Sequence, residues 1–359
     1  MPERLPGLDT VRAVGAMLVL IYHLSFYTDF SSYLTGIKGL LAVQSFFVLS
    51  AFSLYNSYFD RLNNPEQIKG YFVRRFLKIA PLFYLMIIAW GINDYVNGTV
   101  FSFGTYLINC TFLFNLVPGL EGSIVTAGWA IGVLFLFYLI FPILVFFIRR
   151  IRYAIILLVG SLLISYYYMT FLNNIPELSS FSDRSIVTQF PFFVSGLLGF
   201  LLIRGLLVKK ELLQKRLVKG IGLGLMVFAI VLACILLWVW PLYHMWGVVF
   251  GCLIIGLVLY PSRVLVNRPI KFIGDRSYSI YLLHPFLILL SSPIYSGISS
   301  WIGNIGISFL ISFIYTFTLV LGLSVITYRF IEQPLLQRDT SLFSKFFKNK
   351  RQNGVMLQA

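Results

Sequence analysis

The sequence predicts an all-α membrane protein, a polytopic bundle of about ten transmembrane helices. Three observations favour this fold class: hydrophobic residues occupy 58% of the 359 positions, charged residues occupy 11%, and long apolar windows recur along the whole chain. A soluble domain is about one quarter charged, and a helix that crosses a bilayer needs about 18 or more apolar residues. We therefore expect spans and short loops, with no room for a soluble catalytic domain.

Ten windows are long and apolar enough to form one span each. The first lacks a small-residue cleavage site, so it is expected to be a retained helix rather than a signal peptide. In chain order the predicted spans are 11–28, 37–56, 79–96, 129–147, 154–172, 189–207, 221–239, 242–260, 277–296 and 303–325.

The basic residues divide unevenly between the two sets of loops. With the N-terminus inside, 26 of the 28 Lys and Arg fall on the cytoplasmic side, and only Lys38 and Arg184 fall outside. Because Lys and Arg accumulate in cytoplasmic loops, this split predicts that both termini are cytoplasmic. The net charge of +15 is then a signal of topology, and it does not indicate a nucleic-acid partner.

The chain shows no linker that would divide it, and residues 1–340 are expected to form one transmembrane domain. Residues 341–359 mix Phe with Lys and Arg, which is typical of a tail that lies on an anionic inner leaflet. The outer segment 97–128 is interrupted by Pro118, Gly119 and Gly122. Its irregular backbone predicts a half-inserted or surface-lying segment.

The first span, LDTVRAVGAMLVLIYHLSFY, carries Arg12 and His23. Eleven residues of α-helix move about 16 Å along the axis and return to nearly the same face. Arg12 lies near the inner end, where its side chain can reach the interface. His23 lies well inside the predicted span, where it is either a neutral, hydrogen-bonded imidazole or a proton-handling group beside a cavity. We favour the second interpretation, a proton-handling group, because imidazole titrates near neutral pH.

A basic cluster, Arg74, Arg75 and Lys78, lies where a predicted cytoplasmic loop leads into the third span. Arg75 and Lys78 are three residues apart and share a helix face. The cluster is either positive-inside charge or a site for an anionic cytosolic ligand, because Arg and Lys bind phosphates well. CoA fits the second alternative, and its pantetheine arm is about as long as the gap between Arg12 and His23.

Two further groups of polar residues accompany the last two predicted spans. Tyr278 and His284 belong to the ninth span, where His284 precedes the helix-kinking Pro285. Glu332 follows the tenth span, one turn after Arg329, and either an ordinary ion pair or a ligand contact explains it.

Seven segments together resemble the acyltransferase-3 family, integral membrane proteins that O-acylate glycans and related extracytoplasmic acceptors. The resemblance covers nearly the whole chain, and the segments follow one another in the family's order. They are LPGLDTVRAVGAMLVLIYH at 5–23, FFVLSAF at 46–52, RRFLKIAP at 74–81, WAIGVLFLFYLIFP at 129–142, FFVSGLLG at 192–199, SYSIYLLH at 277–284 and YRFIEQP at 328–334.

The resemblance implies a transferase that moves an acetyl or other short acyl group from cytosolic acyl-CoA to a hydroxyl of a surface glycan or lipid-linked saccharide. It implies His23 as the catalytic base and Arg12 as a second catalytic residue that guides the pantetheine arm. Arg75 and Lys78, beside Arg74, would hold the CoA phosphates. The residues expected to support the substrate or the site are Asp9, Trp129, Tyr278, His284 and Glu332.

The expected setting follows from the same resemblance. Acyl-CoA, with acetyl-CoA the first choice, is a donor substrate, and no metal or permanently bound cofactor is expected. The partners would be membrane lipids, acyl-CoA and the glycan acceptor, with a homodimer left open. The location would be the inner (plasma) membrane of a bacterium, with many passes across it.

The chain departs from the family's motifs at two positions. Lys78 stands where the family usually has Arg, which keeps the charge but loses bidentate geometry. Leu134 stands where the family's Trp-Ser-Leu-x-x-Glu pattern has its Glu, so a carboxylate that would orient the histidine or the acceptor is absent. Two alternatives therefore stay open: a non-enzymatic transporter or exporter of glycan or lipid intermediates, and an acyltransferase-like protein that has lost its activity.

Overall fold

The computed structural model describes residues 5–28, 30–31, 40–238 and 240–335, and within them the chain is helical. A π-helical segment, Tyr328–Glu332, continues the last α-helix. The helices are α1 Gly7–Ser25, α2 Leu40–Tyr58, α3 Pro65–Val96, α4 Phe103–Cys110, α5 Trp129–Phe147, α6 Ile151–Asn173, α7 Ser179–Arg184, α8 Ile186–Val208, α9 Lys210–Leu213, α10 Arg216–Trp238, α11 Trp246–Leu259, α12 Arg268–Asp275, α13 Ser277–Leu290, α14 Ser292–Ile302 and α15 Ile305–Thr327.

The length and composition of these helices are those of a membrane protein, with fewer clear spans than predicted. Within the described ranges seven helical segments, containing α1, α3, α5, α6, α8, α10 and α15, are long and apolar enough to cross a bilayer. An eighth results if α13 and α14, bent by 63° at their junction, form one broken span. The all-helical membrane architecture is thereby supported, and the number ten is not.

The two remaining predicted spans contain α2 and α11, which are not among the seven. The 14 residues of α11 rise about 21 Å, whereas the hydrocarbon core is about 30 Å thick. The cytoplasmic placement of the termini stays a prediction. The predicted tail, 341–359, lies outside the described residues, as does the end of the predicted domain at 340.

The centre of the bundle is a stack of aromatic rings between α2, α5 and α8. The ring of Phe193 stacks on Phe137 at a centroid distance of 3.9 Å and on Phe47 at 4.7 Å. α2 and α8 approach so closely that a Cβ at Gly196 would collide with the carbonyl oxygen of Val48. Small residues at helix contacts let backbones approach in this way. The contact fixes α2 against the rest of the bundle.

α1 packs against α2, α12 and α13. Its N-terminal half is held by the segment that leads into α12: Thr10 Oγ1 donates to the carbonyl of Leu265 at 2.5 Å. At Gly274 in α12, a Cβ would collide with the backbone of Asp9. α1 is therefore anchored by main-chain contacts at the level of Asp9 and Arg12.

The predicted irregular segment 97–128 contains the eight-residue α4 and a compact loop. Phe112, Ser123 and Ala127 have φ values of 60°, 69° and 64°, in the left-handed region that non-glycine residues rarely adopt. The buried Asn109 side chain ties the loop together, since its Oδ1 accepts from Ser123 Oγ at 2.7 Å and from Ile124 N at 3.1 Å. The irregular backbone is confirmed, while its depth in the membrane stays a prediction.

We expect Gly196→Ala to destabilise the protein, because the added methyl group would force α2 and α8 apart. Overpacking of this kind costs about 1–3 kcal/mol. The matched control is Gly160→Ala in α6, where a Cβ meets nothing within 4 Å. Thermal unfolding of the purified protein in detergent should show a lower midpoint for Gly196→Ala and an unchanged or higher midpoint for Gly160→Ala. Equal midpoints for the two variants would contradict the close contact.

Candidate active site

A cavity of about 290 Å³ opens between α1, α2, α3, α5 and α13. Three cations line it, Arg12, Arg75 and Lys78, although they come from two different helices. The described residues of its wall include no carboxylate. A pocket with this charge is suited to an anionic ligand with several oxygen acceptors. The structure thus brings together the residues that the sequence suggested for the CoA phosphates and for the pantetheine arm.

Tyrosines surround the Arg75 side chain. The guanidinium carbon lies 5.6 Å from the ring centroid of Tyr58, 5.9 Å from that of Tyr71 and 5.7 Å from that of Tyr138. Nη2 donates to the Tyr58 hydroxyl at 3.4 Å. Cations within about 6 Å of a ring are attracted by its π face. The rings hold the guanidinium in place while leaving it a full positive charge.

Arg12 is held by a carboxylate from its own helix. Its Nη1 lies 2.7 Å from Oδ1 of Asp9, three residues earlier, and its Nη2 donates to Ser53 Oγ at 3.4 Å. The Asp9 side chain is buried, whereas the Arg12 side chain is 27% exposed to solvent. Asp9 therefore positions Arg12 in the cavity wall, which is the supporting role that the sequence suggested for it.

Glu332 supports the same end of the cavity from the π-helical segment after α15. Its carboxylate is buried and accepts a hydrogen bond from Ser279 Oγ, and the charges of Lys78 and Arg276 act on it. Tyr278 lines the cavity, and its hydroxyl donates to the carbonyl of Ile79. π-helical turns occur frequently at functional sites.

The alternative explanation of Glu332, an ion pair with Arg329, is wrong for the described chain. The Arg329 guanidinium instead lies 5.9 Å from the ring centroid of Phe330.

The cavity wall does not include the predicted site residues Trp129 and Arg74, just as it does not include Asp9 and Glu332. Trp129, the first residue of α5, is buried and packs edge-on against Phe47 at a centroid distance of 6.0 Å. The Arg74 guanidinium lies 5.8 Å from the ring centroid of Tyr58. Phe47 belongs to the cavity wall and Tyr58 contacts Arg75, so the contribution of Trp129 and Arg74 is indirect.

His23 and His284 form a pair. His23 Nδ1 lies 3.1 Å from His284 Nε2 and 2.9 Å from the carbonyl oxygen of Val19. His284 is fully buried, and its Nδ1 lies 3.1 Å from the carbonyl oxygen of Ile280, whereas His23 remains partly exposed. His23 also lies in the last turn of α1, which ends at Ser25, and not midway along a helix that reaches residue 28.

Two aromatic rings of the cavity wall, Phe46 and Tyr281, lie edge to face, and Tyr281 also contacts the histidine pair. Both rings line the cavity and are 6.1 Å apart, and Tyr281 is also 5.9 Å from the ring of His284. Gly15 gives the Phe46 ring its space, since a Cβ there would come within 3.0 Å of it. The Tyr281 hydroxyl donates to the carbonyl of Ala127 at 2.7 Å. Neither histidine lines the cavity.

Sequence reasoning missed several residues of the cavity wall. Ser50, Ser53 and Ser57 of α2 line it, and their spacing of three and four residues was a signal that they share one helix face. Tyr138 and Tyr281 belong to segments that carried the family resemblance, but nothing in their spacing distinguishes them from core tyrosines. Leu134 also lines the cavity, beside the cations rather than beside His23.

The sequence matches one known protein family and is similar to several bacterial proteins. The family described as "Acyltransferase domain" matches residues 5–329. The peptidoglycan O-acetyltransferase OatA of Listeria monocytogenes is 25% identical over 96% of this chain and 58% of its own length. The putative peptidoglycan O-acetyltransferase YrhL of Bacillus subtilis is 25% identical over 95% of the chain and 56% of its own length. The O-acetyltransferase OatA of Staphylococcus aureus is 24% identical over 98% and 60%.

The chain thus spans 56–60% of the length of these three relatives. No solved structure matches it.

Proposed function

Because the chain belongs to the acyltransferase family, we propose that it transfers an acetyl or other short acyl group from acyl-CoA to a hydroxyl of a surface glycan. The observation that carries this proposal is the cavity with three cations, Arg12, Arg75 and Lys78, on the same side of the bundle as the start of α1. The cavity suits the CoA phosphates, and His23 lies about 16 Å further along the same helix. The names of two relatives, which are described as peptidoglycan O-acetyltransferases, favour peptidoglycan as the acceptor.

The donor is expected to enter with its phosphates at Arg75 and Lys78. Arg presents a planar fork of donors to phosphate oxygens, whereas Lys acts as a point charge. Arg12, positioned by Asp9, would accompany the pantetheine arm toward the histidines. Tyr281 lines the cavity and lies 5.9 Å from the ring of His284, so the thioester would pass beside it on the way to His23.

The reaction requires one base and no redox change. His23 takes the proton of the acceptor hydroxyl while its oxygen attacks the thioester carbon. The carbon–sulfur bond then breaks, and the CoA thiolate takes the proton back from His23, so the products are the O-acyl ester and free CoA. His23 lies at the end of α1 opposite to Arg12, which allows donor and acceptor to approach from opposite sides.

The proposed setting is the plasma membrane of a bacterium, since the three relatives are bacterial proteins and the chain has several apolar spans. Lipids would surround the bundle, and the acceptor would be a glycan or a lipid-linked saccharide on the outer side. A homodimer is compatible with this arrangement.

We expect His23→Ala to lower acyl transfer by about 10²–10⁴-fold, because a general base contributes a factor of this size. The matched control is His244→Ala, since His244 contacts Ser165 at 2.8 Å, away from the cavity and from His23. Acyl content of the cell-surface glycan would be measured by mass spectrometry at equal protein levels. Unchanged acylation in His23→Ala would rule out His23 as the base. If the protein were instead a transporter, the purified protein would neither bind nor consume acetyl-CoA.

We expect Arg75→Met to weaken acetyl-CoA binding by about 10- to 100-fold, because hydrogen bonds to charged groups contribute about 1.5–3 kcal/mol each. Arg152→Met is the control, because Arg152 is exposed and stacks on Tyr153 in α6, outside the cavity. Equilibrium binding of labelled acetyl-CoA to the purified protein gives the two dissociation constants. Equal affinities in the two variants would place the CoA phosphates elsewhere.

We expect Leu134→Glu to weaken acetyl-CoA binding, because the new carboxylate would face the three cations that await the phosphates. Leu134→Gln, of similar size and without charge, separates this effect from the loss of the leucine side chain. Binding and glycan acylation would be measured together for both variants. A gain of acylation in Leu134→Glu would instead favour the hypothesis that the protein has lost an activity that needs a carboxylate there.

A further inference from the structure

The two histidine rings are in contact with two main-chain carbonyls, and these contacts determine where the protons lie. A carbonyl oxygen only accepts, so the imidazole nitrogen that faces it must carry a hydrogen. His284 Nδ1 faces the Ile280 carbonyl and His23 Nδ1 faces the Val19 carbonyl. Both neutral rings are therefore protonated at Nδ1.

With this protonation His284 Nε2 is a bare acceptor, and it lies 3.1 Å from His23 Nδ1. The His23 Nδ1–H is then shared between His284 Nε2 and the Val19 carbonyl. The opposite direction, with His284 Nε2 donating to a bare His23 Nδ1, would set a nitrogen lone pair against a carbonyl lone pair on both rings. The contacts on the two rings thus allow one arrangement of protons in the neutral pair.

We propose that His284 is a positioning residue for His23: it accepts the Nδ1 hydrogen and leaves the Nε2 lone pair of His23 directed to the acceptor hydroxyl. This inference rests on the proposed function, in which His23 is the base. His284 itself does not meet the substrate, because it is fully buried and both of its nitrogens are in contact with protein groups. His23, which is partly exposed, presents its other nitrogen.

The pair matters most when the acceptor hydroxyl gives up its proton. His23 Nε2 takes that proton and the ring becomes an imidazolium with hydrogens on both nitrogens. The Nδ1–H keeps its acceptor in His284 Nε2, so the new positive charge retains a hydrogen-bond partner inside the bundle. When the carbon–sulfur bond breaks, Nε2 returns the proton to the CoA thiolate, and both rings are neutral again. His284 gains and loses no proton in this cycle.

His284 also does the work that the sequence suggested for a carboxylate at position 134. A carboxylate next to a catalytic histidine holds the imidazole in one tautomer and stabilises the imidazolium. Leu134, however, lines the cavity with Arg75 and Lys78, whereas His23 does not line it. The side chain that contacts Nδ1 of His23, the nitrogen directed away from the acceptor hydroxyl, is that of His284 in α13.

The tautomers can be measured directly, because the chain has three histidines. The full chain would be labelled with ¹⁵N-histidine and purified in detergent, and the His244→Gln and His284→Gln variants would assign the signals. Protonated and bare imidazole nitrogens give distinct ¹⁵N resonances. The inference predicts Nδ1–H and bare Nε2 on both His23 and His284 at neutral pH. An Nε2–H tautomer on either ring would overturn it.

Two substitutions then test whether the contact affects the reaction. His284→Gln places a carbonyl acceptor near the position of Nε2, whereas His284→Phe keeps the ring volume without an acceptor. We expect His284→Phe to lower kcat for acyl transfer by about 10- to 100-fold, because the imidazolium loses one charged hydrogen bond while the Val19 carbonyl still accepts from Nδ1. KM for acetyl-CoA should not change, and His284→Gln should recover most of the rate.

The outcomes separate this inference from the proposed function. If His23→Ala keeps its activity, the proposed role of His23 fails. If His23→Ala is inactive but His284→Phe has the wild-type kcat, only the role of His284 fails. Equal losses in His284→Gln and His284→Phe, with unchanged thermal unfolding midpoints, would also overturn the acceptor role. The tautomers of the wild-type protein remain a test even if a variant does not fold.

Discussion

The Asp9–Arg12 ion pair, at 2.7 Å, is the contact on which the position of the site depends. It lies in the part of α1 that α12 and the carbonyl of Leu265 hold in place. An ionisable group inside a membrane protein is costly unless it has a partner, and the same demand recurs at the other end of α1. There His23 is satisfied by Val19 and His284. The first helix therefore carries two fixed polar groups about 16 Å apart.

Hydropathy located most of the helices because it is a local property of the chain. All ten predicted spans contain helix, and the window 129–147 coincides with α5. The number of membrane crossings was harder to predict, because it depends on where helices break and how long they remain straight. The bend of 63° lies where α13 ends and α14 begins with Pro293 in its first turn, and α11 has only 14 residues. An apolar window of fixed length carries no information about either.

The sequence likewise predicted those features of the site that depend on local helix geometry, and it did not predict the contacts between distant helices. The spacing of Arg12 and His23, and the shared face of Arg75 and Lys78, follow from helical geometry and needed no tertiary information. The contact between His23 and His284 joins residues 261 positions apart, and no local pattern records it. Leu134 shows the same limit, because its motif suggested a missing partner for His23, whereas the structure puts it in the cavity wall.

The charges that line the cavity give a reason why position 134 carries Leu where the family has Glu. Three cations face the cavity with no carboxylate in its described wall, while the carboxylates of Asp9 and Glu332 lie behind Arg12 and Lys78. In the proposed function this positive end of the cavity would attract the phosphates of the donor. The histidine pair, in the arrangement proposed, is neutral until the acceptor proton arrives. In the proposed function, an anionic donor with a neutral thioester would then be oriented by electrostatics, with its phosphates at Arg75 and its acyl group toward His23. A carboxylate at 134 would weaken that orientation, while His284 already supplies the acceptor that His23 requires.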